Sequence, residues 1–353
     1  MAFCPNCGIE YQQLPVRCQC GYLFGAGFQP ATPPNIQPST GKFEFTGNGL
    51  ELALLYLKLI FLSIVTLGIY SFWGRTEIRR YLWSKTRFAG HALAYHGTAI
   101  ELLKGWLMLI AGSAVVYGSF IFASVMLGSR RSIWPALGLA AFSALILPLA
   151  IHGAIRYRWS RTSWQGRRFS YRGDLVELAG VFWLGALLTV LSLSIYFPVF
   201  MVKMRRYVLE HTWYGGQRFE FSGDGSELIW PYVKMLLLLL PTLFLSQLWF
   251  RARQSNYSWE KTSFAGSRFR SWMTGMELLG LAFTNLLLVW FTLGIAYPWT
   301  ICRTASYVMD HIELEHLPNI TLLEQPTDQA DAFGDILGGE LGTDAGIDAA
   351  FGL

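Results

Sequence analysis

The sequence predicts an all-α polytopic membrane protein: about six transmembrane helices built from five repeats of about 50 residues, with short β-hairpin connections and a small four-cysteine zinc-ribbon head. Three observations carry this prediction. The chain is 53% hydrophobic and 16% aromatic but only 14% charged, where about 25% charged is usual for a soluble domain. Windows long enough to cross about 30 Å of hydrocarbon, among them 105–129, 132–155, 178–202 and 278–302, hold no Asp, Glu, Lys or Arg. One acidic position also recurs in register along the chain. So little charge could not coat a soluble particle of this size. The net charge of +5 does not point to nucleic acid, because the basic residues sit beside the ends of apolar windows, where anionic lipid headgroups are the nearer partner.

The head, residues 1–25, holds Cys4 and Cys7 in C-P-N-C-G and Cys18 and Cys20 in C-Q-C-G. Two close thiolate pairs, each followed by a turn glycine, suit a structural tetrahedral Zn²⁺ site. A redox or disulfide role is the competing reading, since the second pair is one residue tighter than such knuckles usually are. Residues 26–42 form a linker with Pro30, Pro33, Pro34 and Pro38. No cleavable signal peptide is expected, because the first apolar run long enough to insert begins near Leu50.

Residues 43–317 form the repeat-built domain, with spans expected at about 50–72, 103–127, 133–155, 178–201, 228–250 and 278–301. Glu51, Glu101, Glu177, Glu227 and Glu277 set the repeat register. Tyr81, Tyr157, Tyr207, Tyr257 and Tyr307 keep it, as do Gly90, Gly166, Gly216 and Gly266. One step is 26 residues longer than the rest and is read as one additional helix, so that five units give six spans. Three residues before each glutamate stands Asn48, Thr98, Asp174, Asp224 or Thr274. That is capping-box spacing, with the carboxylate at the positive end of the helix.

Each apolar window ends in aromatics suited to the headgroup zone, such as IYSFW at 69–73. A basic segment and a glycine-centred hairpin follow. The fourth hairpin keeps its turn but lacks the F-x-F-x-G ending of the others.

The motifs F-x-F-x-G-x-G-x-E-L (Phe43 to Leu52), T-L-G-I-Y (Thr66 to Tyr70) and R-R-Y followed by K-T-R-F-A-G (Arg79 to Gly90) resemble the YjgN family of bacterial inner-membrane proteins. The resemblance covers roughly residues 43–315 and implies a multi-pass protein of the bacterial inner membrane. It brings no catalytic residues with it.

Lys58 and Lys234 each follow a repeat glutamate by seven residues and so lie on one helix face, two turns deeper. They are the candidate intramembrane polar site; snorkelling to the headgroups is the plainer reading. His152 reads as a structural histidine and Cys302 as a small buried hydrophobe. No nucleophile elbow, metalloprotease helix or phosphate loop is present, so no enzyme activity is expected.

Sidedness is pulled two ways. Basic-residue bias places the head outside the cytoplasm, whereas four reduced thiolates favour the cytosol; the head is read as cytoplasmic. A bend at T-L-G-I-Y or Pro241 would instead put every hairpin on one face. The acidic tail, 318–353, is expected to be disordered or at most weakly helical and simply solvated; a protein partner at the head or tail is the competing reading. The leading functional expectation is a transporter- or channel-like protein for a small solute, ion or lipid. The alternative is a non-transporting scaffold or regulatory protein that recruits partners through its ribbon and tail.

Overall fold

The structure is a computed structural model that describes residues 2–3, 10–11, 41–126 and 134–317. It divides into two units, Met1–Ser39 and Thr40–Leu353. In the first, β1 (Ala2–Phe3) pairs antiparallel with β2 (Glu10–Tyr11). Cys4, Cys7, Cys18 and Cys20, and the tail from 318 onward, lie outside the described residues.

The second unit overturns the all-α, six-span expectation. Among its described residues, ten short antiparallel strands close into a barrel in chain order, and helices project from it in pairs. The first repeat runs β3 (Gly41–Phe45), α1 (Gly49–Val65), α2 (Ser71–Lys85), β4 (Thr86–Phe88) and β5 (His91–Tyr95). The second adds α3 (Ala99–Met126), α4 (Trp134–Arg161), β6 (Thr162–Trp164) and β7 (Arg167–Tyr171). The third adds α5 (Leu175–Leu191), α6 (Phe197–Glu210), β8 (Thr212–Tyr214) and β9 (Gln217–Phe221). The fourth adds α7 (Ser226–Leu238), α8 (Ser246–Glu260), β10 (Thr262–Phe264) and β11 (Ser267–Ser271). The fifth ends with α9 (Gly275–Phe291), α10 (Tyr297–Asp310) and β12 (Ile312–Leu314).

Two kinds of connection alternate. Tight turns join β4 to β5, β6 to β7, β8 to β9 and β10 to β11, with positive φ at Ala89–Gly90, Gln165–Gly166, Gly215–Gly216 and Ala265–Gly266. Two consecutive left-handed residues are what a two-residue hairpin needs to match strand twist. Every other neighbouring pair is joined through two helices, except that β12 pairs with β3 to close the ring. Because the strands are antiparallel throughout, all five helical hairpins leave one end of the barrel and all four tight turns lie at the other. The fourth hairpin, despite its altered ending, still forms β11 and pairs through Phe269–Leu314.

The windows at 50–72, 178–201, 228–250 and 278–301, expected as single spans, turn back as helical hairpins, while those at 103–127 and 133–155 correspond to the single helices α3 and α4. Thr66 Oγ1 donates to Leu62 O at 2.7 Å and accepts from Tyr70 N at 2.9 Å. Thr242 and Thr292 make the same two bonds in their repeats. Leu67 and Gly68 then take φ of 51° and 90°, and the Gly68 amide donates to Ser63 O. The left-handed pair ends the helix and reverses the chain. Leu193–Ser194, Leu243–Phe244 and Leu293–Gly294 repeat the device, so only glycine at the second position avoids the strain of a side chain there.

A 17-residue helix such as α1 extends about 25 Å, short of the hydrocarbon thickness. The extra 26 residues do not make a separate span. They lengthen both arms of the second hairpin, to 28 residues each. Among the described residues, one helix, over Ala99–Ala123, is long and apolar enough to cross a membrane.

The barrel interior is filled. The strands on either side of each helical hairpin set large side chains directly opposite one another: Phe43 with Phe88, Leu93 with Trp164, Phe169 with Tyr214, Phe219 with Phe264, and Phe269 with Leu314. Ring centroids lie 4.5 Å apart in the stacked pair Phe43–Phe88, and 4.8 Å and 4.6 Å apart in the tilted pairs Phe169–Tyr214 and Phe219–Phe264. Between them Lys42, Glu44, Arg87, Arg168, Arg218 and Arg270 alternate outward. This is the packed interior of a small barrel.

Candidate functional site

Five copies of one constellation stand where the strands meet the helices. Each capping glutamate begins the first helix of a hairpin and faces a tyrosine, and a basic residue four positions later, on the returning helix. Glu51 pairs with Lys85 at 2.9 Å, Glu101 with Arg161 at 2.6 Å and Glu227 with Lys261 at 3.2 Å. Glu177 and Glu277 face His211 and His311 at 3.8 and 3.4 Å.

The cap side chains sit at the register positions read from the sequence. Asn48 Oδ1 accepts from Leu50 N, Asp174 Oδ1 from Val176 N and Glu177 N, and Asp224 Oδ1 from Ser226 N. Glu101 reaches back to Thr98 N at 3.4 Å, while Thr98 Oγ1 accepts from Glu101 N. The repeat tyrosines, seen in the sequence only as register marks, tie the returning helix to the cap. Tyr81 OH accepts from Asn48 N at 2.7 Å and donates to Asn48 O at 2.9 Å, and Tyr207 does the same at Asp174. The Tyr157 and Tyr307 hydroxyls donate to Glu101 and Glu277 instead.

Hydrogen bonding from Lys85 holds the Glu51 carboxyl below the usual carboxylate value, and Thr274 and Tyr307 do so for Glu277. Glu227 raises Lys261 in return. These groups are spent on architecture.

Lys58 and Lys234 occupy the same register but different surroundings. Lys58 Nζ lies 2.9 Å from both carboxylate oxygens of Glu77 on α2, whose Oε1 also accepts from Tyr70 OH. Lys234 lies over the Trp230 ring, 5.3 Å from its centre, and lines a groove of about 880 Å³ along the α7–α8 hairpin. Leu238, Thr242 and Leu245 line this groove toward the tip, Trp249 and Arg253 farther along α8, and Glu227 and Glu260 at the barrel end.

Glu77 and Arg253 were missed in the sequence, although each stands four residues before a repeat tyrosine, a register that would have found them. Arg205 was also missed. Its guanidinium is 2% exposed and stacks on Trp259 at 5.1 Å, directly above the aromatic barrel core, and burial lowers its pKa.

His152 Nε2 lies 3.1 Å from Gly173 O, and Cys302 is a buried free thiol. Among the described residues no three His, Cys, Asp or Glu side chains gather as a metal site would require.

The chain is 29% identical over 151 residues to the inner membrane protein YjgN of Escherichia coli O157:H7, covering 42% of this chain and 35% of that one. It is 25% identical over 163 residues to the protein of that name from Salmonella typhimurium strain LT2, covering 45% and 38%. The Escherichia coli K12 protein is 28% identical over 152 residues, covering 42% and 35%. The chain thus spans little more than a third of the length of these curated relatives. No solved structure matches. All three relatives are named as inner membrane proteins. Residues 40–245 and 225–339 match the family described as "Bacterial protein of unknown function (DUF898)", and the chain belongs to that family.

Proposed function

We propose that this protein is a one-sided membrane platform: the helical hairpins sit in the inner membrane and hold the barrel at its surface, where the barrel and the terminal segments meet partners. The observation that carries this reading is that all five helical hairpins leave the same end of the barrel. The hairpin tips are apolar and open, with Leu67 94% and Leu293 91% exposed, as lipid-facing side chains would be. A barrel packed with aromatic rings favours a non-conducting role. Anionic headgroups are the expected partners of the cations on the returning helices, Arg80, Lys203, Arg251 and Arg303 among them. On this reading the head carries a structural Zn²⁺ on Cys4, Cys7, Cys18 and Cys20, and recruits a protein partner together with the tail.

The test is a topology map with single cysteines at Ala92, Arg168, Arg218 and Arg268, exposed sites one residue beyond each hairpin turn, probed with an impermeant thiol reagent in intact cells. All four labelling alike supports the platform. Arg218 labelling opposite to the other three removes it.

A second reading, transport of a small solute, ion or lipid, draws on the membrane-length helix over Ala99–Ala123 and the groove beside Lys234. It places the path along the hairpins rather than through the barrel. Flux through proteoliposomes that falls in Lys58→Leu/Lys234→Leu protein would favour it.

A further inference from the structure

The two lysines of the repeat differ in what faces them. In every repeat but the longer second one, the positions seven after the glutamate and four before the tyrosine are 19 residues apart, and in the first and fifth they touch across the hairpin. In the first repeat they are Lys58 and Glu77, paired at 2.9 Å. In the fifth they are Thr284 and Arg303, where the guanidinium donates to Thr284 Oγ1 at 3.0 Å. In the third they are Leu184 and Lys203, and the ammonium lies over the Tyr196 ring at 5.5 Å. In the fourth they are Lys234 and Arg253, two cations.

Both are exposed and both line the 880 Å³ groove. The acids nearest in that groove are not at their level. Glu227 is engaged by Lys261 at 3.2 Å, and Glu260 lies two helical turns below Arg253, toward the barrel. Asn256, one turn below, has its amide committed to Met273 and Ser271.

Two like charges facing each other repel, and the more strongly the less water surrounds them. An anion between them converts that repulsion into two charge-assisted hydrogen bonds. The rest of the groove says what the anion is attached to. From Lys234 the chain runs four residues to the end of α7 at Leu238 and then through the reversal to Leu243, at most about 13 Å at helical rise, which is close to half of a hydrocarbon core of about 30 Å. That stretch of the groove is lined by Leu238, Thr242 and Leu245, with Met235 and Trp249 flanking the cations. Trp230 and Trp249, 62% and 45% exposed, stand at the cation level, where indole rings favour the headgroup zone.

We propose that Lys234 and Arg253 form a binding site for the phosphate of a single anionic phospholipid, with an acyl chain lying along the α7–α8 groove toward the hairpin tip. The site requires the hairpins to be in lipid but not that all of them enter from one side, so a failed topology map would leave its test intact.

The test uses the full chain in nanodiscs of mixed phosphatidylglycerol and phosphatidylcholine, with co-purified lipid measured by mass spectrometry after detergent extraction. Phosphatidylglycerol should be retained over phosphatidylcholine, and Lys234→Gln/Arg253→Gln should reduce that enrichment about tenfold. Arg253→Glu rebuilds the Lys58–Glu77 arrangement in the fourth repeat. It should fold at least as well as the parent and lose the enrichment. Unchanged enrichment in folded Arg253→Glu protein overturns the site. So does equal retention of the two lipids by the parent. Displacement of the lipid by millimolar inorganic phosphate would show a free-anion site and overturn the lipid assignment.

Discussion

Trp299 on α10 packs against Gly49 at the start of α1, and a Cβ added at Gly49 would lie only 2.3 Å from the indole Cδ1. Through this contact the last repeat closes onto the first among the helices, as β12 closes onto β3 among the strands. Trp249 packs on Gly275 in the same register, and Val199 on Gly225. Each returning helix thus docks on the first helix of the following repeat.

Gly49→Val should therefore open the seam, costing about 1–3 kcal/mol as overpacking does and lowering the thermal midpoint in detergent. Gly180, whose added Cβ meets nothing within 4 Å, is the control. Gly180→Ala should be neutral or stabilising by a few tenths to 1 kcal/mol.

Tyr207 OH bridges the amide and carbonyl of Asp174, and the ring is 5% exposed. Tyr207→Phe removes both bonds and strands a cap amide, at about 1–3 kcal/mol. Hydrogen exchange should show the Asp174 amide losing protection, with the barrel amides changed much less.

Lys58 and Glu77 are partly exposed, 48% and 33% by side chain, and on the proposed embedding that exposure is to lipid. Glu77→Gln would leave an unmatched ammonium there, which hydrocarbon disfavours, and should lower the thermal midpoint. Lys58→Glu/Glu77→Lys should restore most of the loss. Thermal midpoints of the two variants in nanodiscs check this; equal loss in both would mean the pair does not act as one.

Acid should weaken the fold in two windows. Burial holds the His96 pKa below its usual 6.5, with Arg168, Arg80 and Arg161 adding repulsion, and its Nε2 lies 2.7 Å from Ser163 Oγ across β5 and β6. A depressed pKa means the folded state resists the proton. Its stabilising contribution is present above pH 6.5 and is lost as pH falls through the lowered folded value. Glu51 and Glu277, held below the usual 4.5, contribute above that pH and are lost as pH falls through their lowered values. Thermal midpoints against pH should fall in both windows for the parent. In His96→Asn the fall beginning below pH 6.5 should be absent and the one below pH 4.5 retained.

The repeat was readable from residue spacing alone, and with it the caps at Asn48, Asp174 and Thr274, the turn glycines and the apolar windows. These are local features: a cap or a two-residue turn is decided by residues a few positions apart. The reversal at Leu67–Gly68 was readable only as an option, because hydropathy does not distinguish a helix that continues from one that turns back through two left-handed residues. The barrel was not readable, since strands of three to five residues carry almost no periodic signal and six of their ten pairings join residues 41 or more apart, as Phe43 joins Phe88.

For the same reason Glu77 and Arg253 went unnoticed beside Lys58 and Lys234. What a charge means depends on what faces it, and only the folded hairpin brings residues 19 apart into contact. The sequence by itself determined the membrane character, the five-fold register and the local caps and turns. The tertiary structure decided that the chain closes on itself, that its hairpins share one end, and that one pair of cations faces across a groove.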